Sequence, residues 1–204
     1  FKSSSLNEFF SRMEYMKQTR GIILLTGISG VGKTTALRAF AENLKPEFFK
    51  VLYFPLSTVS TTDFYHQLNR GLGGDKFRNK SDLFLSIQKL IIDYATVKKQ
   101  IPVIIFDEIH LLKVDNLFEL QLILNFNFDS LDPAIIILAG HSLIREKIIR
   151  PSLHSINQRF RLKYDFLPLS KEETFQYIHH QFKLVGKNNS VFNDNAIDAI
   201  YNLS

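Results

Sequence analysis

Cysteine is absent from the 204-residue chain, so disulfides, thiolate zinc sites and thiol catalysis are all excluded. A reducing compartment fits that absence. Long apolar runs are missing too: Ile135 to Ala139 is among the longest, far short of the roughly 20 residues that span a bilayer. The N-terminus carries no signal-peptide pattern, and neither internal repeats nor low-complexity tracts occur. These absences lead us to expect a cytoplasmic protein with no membrane segment.

What is present is ordinary globular composition, 45% hydrophobic and 22% charged, enough for one sizeable core or a core with a small subdomain. The formal charge of +5 permits contact with nucleic acid without requiring it. Leu6, Phe9, Phe10, Met13 and Met16 recur at helical spacing up to Gly21. The apolar run Ile22 to Thr26 leads into a glycine-rich turn, and Leu37, Phe40, Ala41 and Leu44 mark a helix that stops before Pro46. Val51 to Phe54 reads as a strand closed by Pro55, followed by helices over Thr62 to Leu72 and Ser81 to Lys98. Phe84, Ile87, Ile91 and Tyr94 form one face of the second helix.

Val103 to Phe106 is a third strand, and a helix over Val114 to Phe126 leads to a fourth at Ala134 to Ala139. Short helices through Ile149 and Asn157 precede a fifth strand at Phe160 to Tyr164. Continuous apolar strands alternating with helices predict an α/β fold, a parallel five-stranded sheet sandwiched by helices. Pro168-Leu169 divides this core, residues 1–167, from a helical tail, residues 168–204. The tail opens on a capping box, Ser170-Lys-Glu-Glu173, and continues with Phe175, Ile178, Phe182 and Val185 on one face. A last helix begins at Ala196, Ile197, Ile200 and Tyr201 and reads as cut short at Ser204.

Gly27-Ile28-Ser29-Gly30-Val31-Gly32-Lys33-Thr34, with Thr35 next, matches G-x-x-x-x-G-K-[ST]. The glycines let backbone N–H groups converge on phosphate oxygens of a nucleotide, and the following helix adds its positive N-terminus. Lys33 would neutralise the β- and γ-phosphates, and the Thr34 hydroxyl would complete a magnesium shell. A chance match in a chain of this size is on the order of one in a hundred, and the placement between strand and helix is what the mechanism needs. The strand Val103-Ile-Ile-Phe106 ends in Asp107-Glu108, about 75 residues downstream. Strand C-termini in open α/β sheets are where ligands bind. There Asp107 would hold Mg2+ through water and Glu108 would polarise the attacking water.

His141 and Ser142 follow the fourth strand, where a polar residue could sense the γ-phosphate. Arg159, in Asn157-Gln-Arg-Phe160, reads on its own as a surface or salt-bridging arginine. Asn188-Asn-Ser190 matches a glycosylation acceptor, which nothing else about the chain supports.

With these pieces in order the chain resembles the AAA+ ATPases, within the P-loop NTPases. In particular it resembles the ExeA-like group that includes transposon target selectors (TnsC- and TniB-like proteins). The resemblance runs from Gly21 to Thr35 through Ile105-Phe-Asp-Glu-Ile-His110, Leu117 to Phe126 and Ile137-Leu-Ala-Gly-His-Ser-Leu143. It ends with Asn157-Gln-Arg-Phe160, Leu167 to Thr174 and Phe192 to Ile197. It implies an ATP site at a subunit boundary in a homo-oligomeric ring or filament, completed in trans by an arginine finger at Arg159, or failing that Arg150. The tail would be a lid. The group has Gly-Gln-Pro where this chain has Gly140-His141-Ser142, and a second sensor arginine would follow Ser204. Asn125-Phe-Asn-Phe-Asp-Ser130 with Pro133 looks closer to transposition-associated members than to secretion ones, a resemblance that implies double-stranded DNA and a transposase as partners. Assembly of a secretion or cell-envelope complex is the second reading, and a nucleotide-dependent signalling switch the third. DNA-encircling relatives line their channel with the segment after the second strand, here Leu56-Ser-Thr-Val-Ser-Thr-Thr62, followed by Arg70, Lys76, Arg78 and Lys80.

Overall fold

Side chains alternate across a strand, so a strand that is apolar at every position must be covered on both faces. The computed structural model, which describes residues 1–55, 60–125, 132–186 and 192–203, shows this arrangement. The strands are β1 (Gly21–Gly27), β2 (Phe49–Pro55), β3 (Ile101–Asp107), β4 (Ile135–His141) and β5 (Phe160–Phe166). They form one sheet in the order β2-β3-β4-β1-β5, and every pairing is parallel.

Two buried clusters divide the strands by parity. Ile22, Leu24, Ile104, Phe106, Ile136 and Leu138 face α3 (Thr61–Gly71), α4 (Lys80–Thr96) and α5 (Val114–Ile123). Their neighbours Ile23, Leu25, Val103, Ile105, Ile137 and Ala139 face α1 (Ser4–Thr19) and α2 (Lys33–Glu42). Continuing the alternation by one step assigns Asp107, Gly27 and His141 to the α1/α2 face, and Thr26 to the other.

Most predicted elements are found within a residue or two, but three details differ. The helix expected to reach Phe126 ends at Ile123, with Leu124 as its C-cap; Phe126 lies outside the described residues. β5 runs on to Phe166, because Phe166 is buried beside Phe9 and pairs with Gly27. In the tail, α8 (Lys171–Leu184) begins at the expected capping box, with both of its hydrogen bonds formed. Its expected apolar face is not buried: Phe175 is 39% exposed and Val185, just past the helix, 70%. α8 contacts α9 (Asp194–Leu203) and the start of α1 and, among the described residues, is not packed against the sheet as α4 is. Between β4 and β5 lie α6 (Ile144–Ile148), a 3-10 turn (Pro151–Leu153) and α7 (His154–Arg159). No described helix is long and apolar enough to cross a membrane.

α1 is fastened along its length. Ser3 caps it by accepting from the Leu6 N–H, and Phe9, Met13 and Met16 are fully buried. The Tyr164 hydroxyl on β5 donates to the Ser5 carbonyl at 2.7 Å, and the Ser4 N–H donates to the Glu173 carboxylate in the α8 capping box. The Ser170 N–H and the Ser4 N–H both donate to the Glu173 carboxylate and hold it below the usual glutamate range. Met13→Ala should therefore cost about 2–5 kcal/mol, the range for truncating a buried methionine. Urea unfolding should show a lower midpoint with an unchanged slope; a loss under about 1 kcal/mol would mean that α1 contributes little to the core.

Candidate functional site

The candidate phosphate-binding turn is shaped by glycines of two kinds. Gly30 (φ 83°) and Gly32 (φ 94°) have left-handed backbone, and nothing lies within 4 Å of a Cβ built on either. Conformation, not space, demands glycine there, and the turn keeps an open side for a ligand. Gly27 is different: a Cβ would meet the Phe166 carbonyl at 2.8 Å, so it permits the close approach of β1 to β5. Ile28, Ser29, Thr34 and Thr35 are exposed around the turn, and Val31 packs beneath it. Gly32 caps α2, and its carbonyl accepts the first helical hydrogen bond, from Ala36.

Lys33 is only 8% exposed, and its ammonium donates to the carbonyls of Gly27 (3.0 Å) and Ile28 (2.8 Å). Among the described residues no carboxylate lies within ion-pair distance of it. A buried cation supported only by neutral carbonyls is half-compensated, which makes the turn a receptor for an anion.

β3 brings Asp107 to the same edge, 2% exposed. Its Oδ2 accepts from the Thr34 hydroxyl at 2.9 Å and from the Tyr53 hydroxyl at 2.7 Å, while Oδ1 accepts from the Glu108 N–H at 2.9 Å. A carboxylate and a hydroxyl oxygen converging beside a phosphate turn fit Mg2+, which prefers oxygen donors and takes few of them from protein. Tyr53 lies opposite Ile105 in the parallel register, hence on the Asp107 face. Burial and the neighbouring carboxylate push its phenol pKa well up, so it remains a donor.

Glu108 adopts left-handed backbone (φ 58°), turning its carboxylate out of the strand. Its Oε2 lies 3.2 Å from His110 Nδ1. His141 pairs with Gly27 in the β1–β4 register, so the sensor candidate is next to the phosphate turn. Its ring Nδ1 accepts the Leu143 N–H at 3.3 Å, and Ser142 is half-buried beside it.

Lys33, Thr34, Asp107, Glu108 and His141 thus share one edge; Arg159 does not join them. Its guanidinium donates to the carbonyls of Gln121 (3.0 Å) and Leu124 (2.7 Å), at the end of α5. These contacts are to backbone carbonyls at a helix end, where the sequence context read as a surface or salt-bridging arginine. Arg150 is exposed at the start of the 3-10 turn.

Tyr53, His110 and a triad of Thr26, Arg145 and Asp165 escaped sequence reasoning. Arg145 Nε donates to the Thr26 hydroxyl (3.0 Å), which donates to Asp165 (2.7 Å), tying α6 to β1 and β5 beneath the turn. Strand parity could have found Tyr53. No sequence signal links residues as distant as Thr26 and Arg145.

A family model described as an AAA domain matches residues 16–148. General secretion pathway protein A of Aeromonas hydrophila is 25% identical over 207 residues, covering 100% of this chain and 38% of its own length. The structure of Cdc6p from Pyrobaculum aerophilum matches at TM-score 0.65 and 18% identity, over 88% of this chain and 48% of that one. The Aeropyrum pernix ORC1 protein in complex with DNA matches at TM-score 0.60 and 15% identity, over 88% and 48%. At that identity the two structures speak for the fold alone. The chain spans less than half the length of each of these three proteins.

Removing the buried ammonium should remove anion affinity and leave the strands untouched. Lys33→Ala is expected to weaken ATP binding at least tenfold, about 1.4 kcal/mol, at an unchanged melting temperature; calorimetry with equal affinities would defeat the assignment.

Proposed function

The chain belongs to the AAA domain family, and on that premise we propose that it is an ATP-hydrolysing regulator working as a nucleotide-dependent homo-oligomer. The observation that carries the reading is the buried Lys33 ammonium, which among the described residues has no carboxylate within ion-pair distance, set near Thr34 and Asp107. On binding, Lys33 exchanges the Gly27 and Ile28 carbonyls for phosphate oxygens, while N–H groups of residues 27–35 converge on the phosphates. Magnesium, when bound, supplies charge neutralisation across the phosphates. Thr34 and Asp107 are the residues that would hold it, and Tyr53 orients the Asp107 carboxylate. Glu108, half-exposed at the strand end, takes the proton of the attacking water. His141 reports the state of the phosphate end to β4.

A neighbouring copy would complete the site with an arginine. Arg159 matches the family position, but reaching a neighbour would break its two bonds to α5. Exposed Arg150 needs no such rearrangement.

Two readings of what the ATPase acts on have support. The first is double-stranded DNA, with a transposase as partner. Residues Asp63, His66, Arg70, Asp75, Lys76 and Arg78 line a cleft of about 890 Å³ between α3 and the start of α4. Arg70, Lys76 and Arg78 are exposed there. A ring would repeat this charge around one channel. Lys80 contributes less, since it pairs with Glu119. Residues 56–59 of the expected channel segment, and most of the motif at 125–130, lie outside the described residues, as does the segment 188–190. The second reading, assembly of a secretion complex, is favoured by the whole-chain similarity to General secretion pathway protein A. Both readings operate in the cytoplasm.

Glu108→Gln should keep ATP binding within about threefold and lower turnover at least a hundredfold; normal hydrolysis would move the base elsewhere. Arg150→Ala or Arg159→Ala, mixed with Lys33→Ala, should regain hydrolysis if that arginine serves a neighbour; no rescue with either would leave the site complete within one chain. With a non-hydrolysable ATP analogue at low salt, fluorescence anisotropy should detect binding to any duplex, and reversing Lys76, Arg78 and Lys80 together should weaken it. Failure to bind duplex would retire the DNA reading in favour of secretion.

A further inference from the structure

His110 follows Glu108 by two positions and has no part in the scheme above. Its side chain is one-quarter exposed, and its Nδ1 has two polar neighbours at nearly equal distance. Glu108 Oε2 is 3.2 Å away, and the backbone N–H of His141 points at the same nitrogen from 3.3 Å. An imidazole nitrogen has a single in-plane valence, which carries either a lone pair or a proton. With the lone pair, Nδ1 accepts the His141 N–H and offers Glu108 nothing. With the proton, it donates to Glu108 and leaves the His141 N–H without that acceptor. Of the two, the His141 N–H makes the hydrogen bond in this structure, and a bond from Nδ1 to Glu108 would need the same valence, so the two exclude each other on one atom.

The surroundings hold this nitrogen in place. The end of β4 passes so close to the turn carrying His110 that a Cβ on Gly140 would meet Ile109 Cγ1 at 3.0 Å and the His110 N at 3.2 Å. Lys147, one helix beyond β4, donates its ammonium to the His110 carbonyl. The chain from Gly140 to Lys147 thus grips His110 from both ends. Its first polar residue, His141, lies in register with Gly27, the first residue of the phosphate turn. Glu108, by contrast, is held in left-handed backbone with its carboxylate half-exposed, so another group must fix its direction.

We propose that His110 is a positioning residue for Glu108, and that its Nδ1 couples the end of β4 to the catalytic carboxylate. When the phosphate end of a bound nucleotide draws the His141 backbone away, Nδ1 takes the proton and donates it to Glu108 Oε2. The other carboxylate oxygen then faces the attacking water. When the His141 N–H returns, the proton sits on Nε2 and Glu108 swings free. The step is a tautomer change with no net gain or loss of protons. This inference rests on Glu108 being the base of the proposed ATPase.

Two readouts test it. His110→Ala should lower kcat at least about tenfold, the loss expected when an orienting partner is removed, with ATP affinity by calorimetry within about threefold of wild type. Added to Glu108→Gln it should cause no further loss. His110→Asn, whose amide reaches the place of Nδ1 and can either donate or accept, should recover most of the rate, and His110→Gln should not. Should the alanine variant fail to fold, the asparagine and glutamine pair gives the same reading. The second readout needs no turnover: in protein labelled with 15N histidine, the His110 ring nitrogens should shift on Glu108→Gln and on adding a non-hydrolysable ATP analogue. A kcat within twofold for His110→Ala, rescue by glutamine as good as by asparagine, or ring nitrogens indifferent to Glu108→Gln would each overturn the proposal. A wild-type protein without hydrolysis, but with responsive ring nitrogens, would instead count against the ATPase reading alone.

Discussion

In a sheet whose pairings are all parallel, every strand ends on the same edge. Three of those ends, from β3, β4 and β1, are adjacent and carry Asp107, His141 and Gly27. Backbone hydrogen bonding fixes their spacing, because neighbouring strands in a ladder stand about 4.8 Å apart. The phosphate turn, the carboxylate and the sensor candidate are thus brought together by the scaffold before any side chain interacts. The remaining choice is which face each residue takes, and parity makes it. Asp107 continues the row of Val103 and Ile105 towards α2, whose first turn presents Thr34, and the 2.9 Å bond between them follows.

The polar groups on that edge are satisfied provisionally. Lys33 uses two carbonyls, and Asp107 has three donors, from Thr34, Tyr53 and the Glu108 backbone. Leaving such groups unpaired and buried would cost on the order of 1–3 kcal/mol each. The internal bonds remove that penalty without a ligand, and phosphate oxygens can replace those of Lys33. The same logic separates the arginines. Arg145 binds Thr26 and Asp165 beneath the turn, and Arg159 closes the end of α5. Both are integral to the chain's own packing, whereas Arg150 is exposed.

Glu108 and Gly140 join the two halves of the edge. A left-handed glutamate is strained by about 1–2 kcal/mol, and it persists because the following turn is packed through Ile109 under β4. Glycine at position 140 permits that packing. Any displacement of the β4 end is consequently felt at His110. The α8–α9 tail is attached differently, through polar contacts at the α8 capping box and the start of α1. Its exposed apolar side chains contrast with the closed layers on either side of the sheet.

The sequence by itself determined the strand count, the layering and the phosphate turn, since apolar runs of strand length and a glycine spacing are local properties of the chain. It also determined the capping box at Ser170 and the grouping of Lys33, Thr34, Asp107 and Glu108, because a turn after β1 and the end of a parallel β3 meet at one sheet edge. It did not determine the end of α5 at Ile123, which falls before Phe126 although the apolar pattern continues. Arg159 was ambiguous for the same reason: a guanidinium serves a neighbour's nucleotide or a helix end, and only the position of α5 shows it at Gln121 and Leu124. Tyr53 on Asp107, Arg145 on Thr26 and the shared nitrogen of His110 were decided by tertiary structure. Each joins residues on different elements, and such contacts depend on strand order and register, which no spacing along the chain encodes.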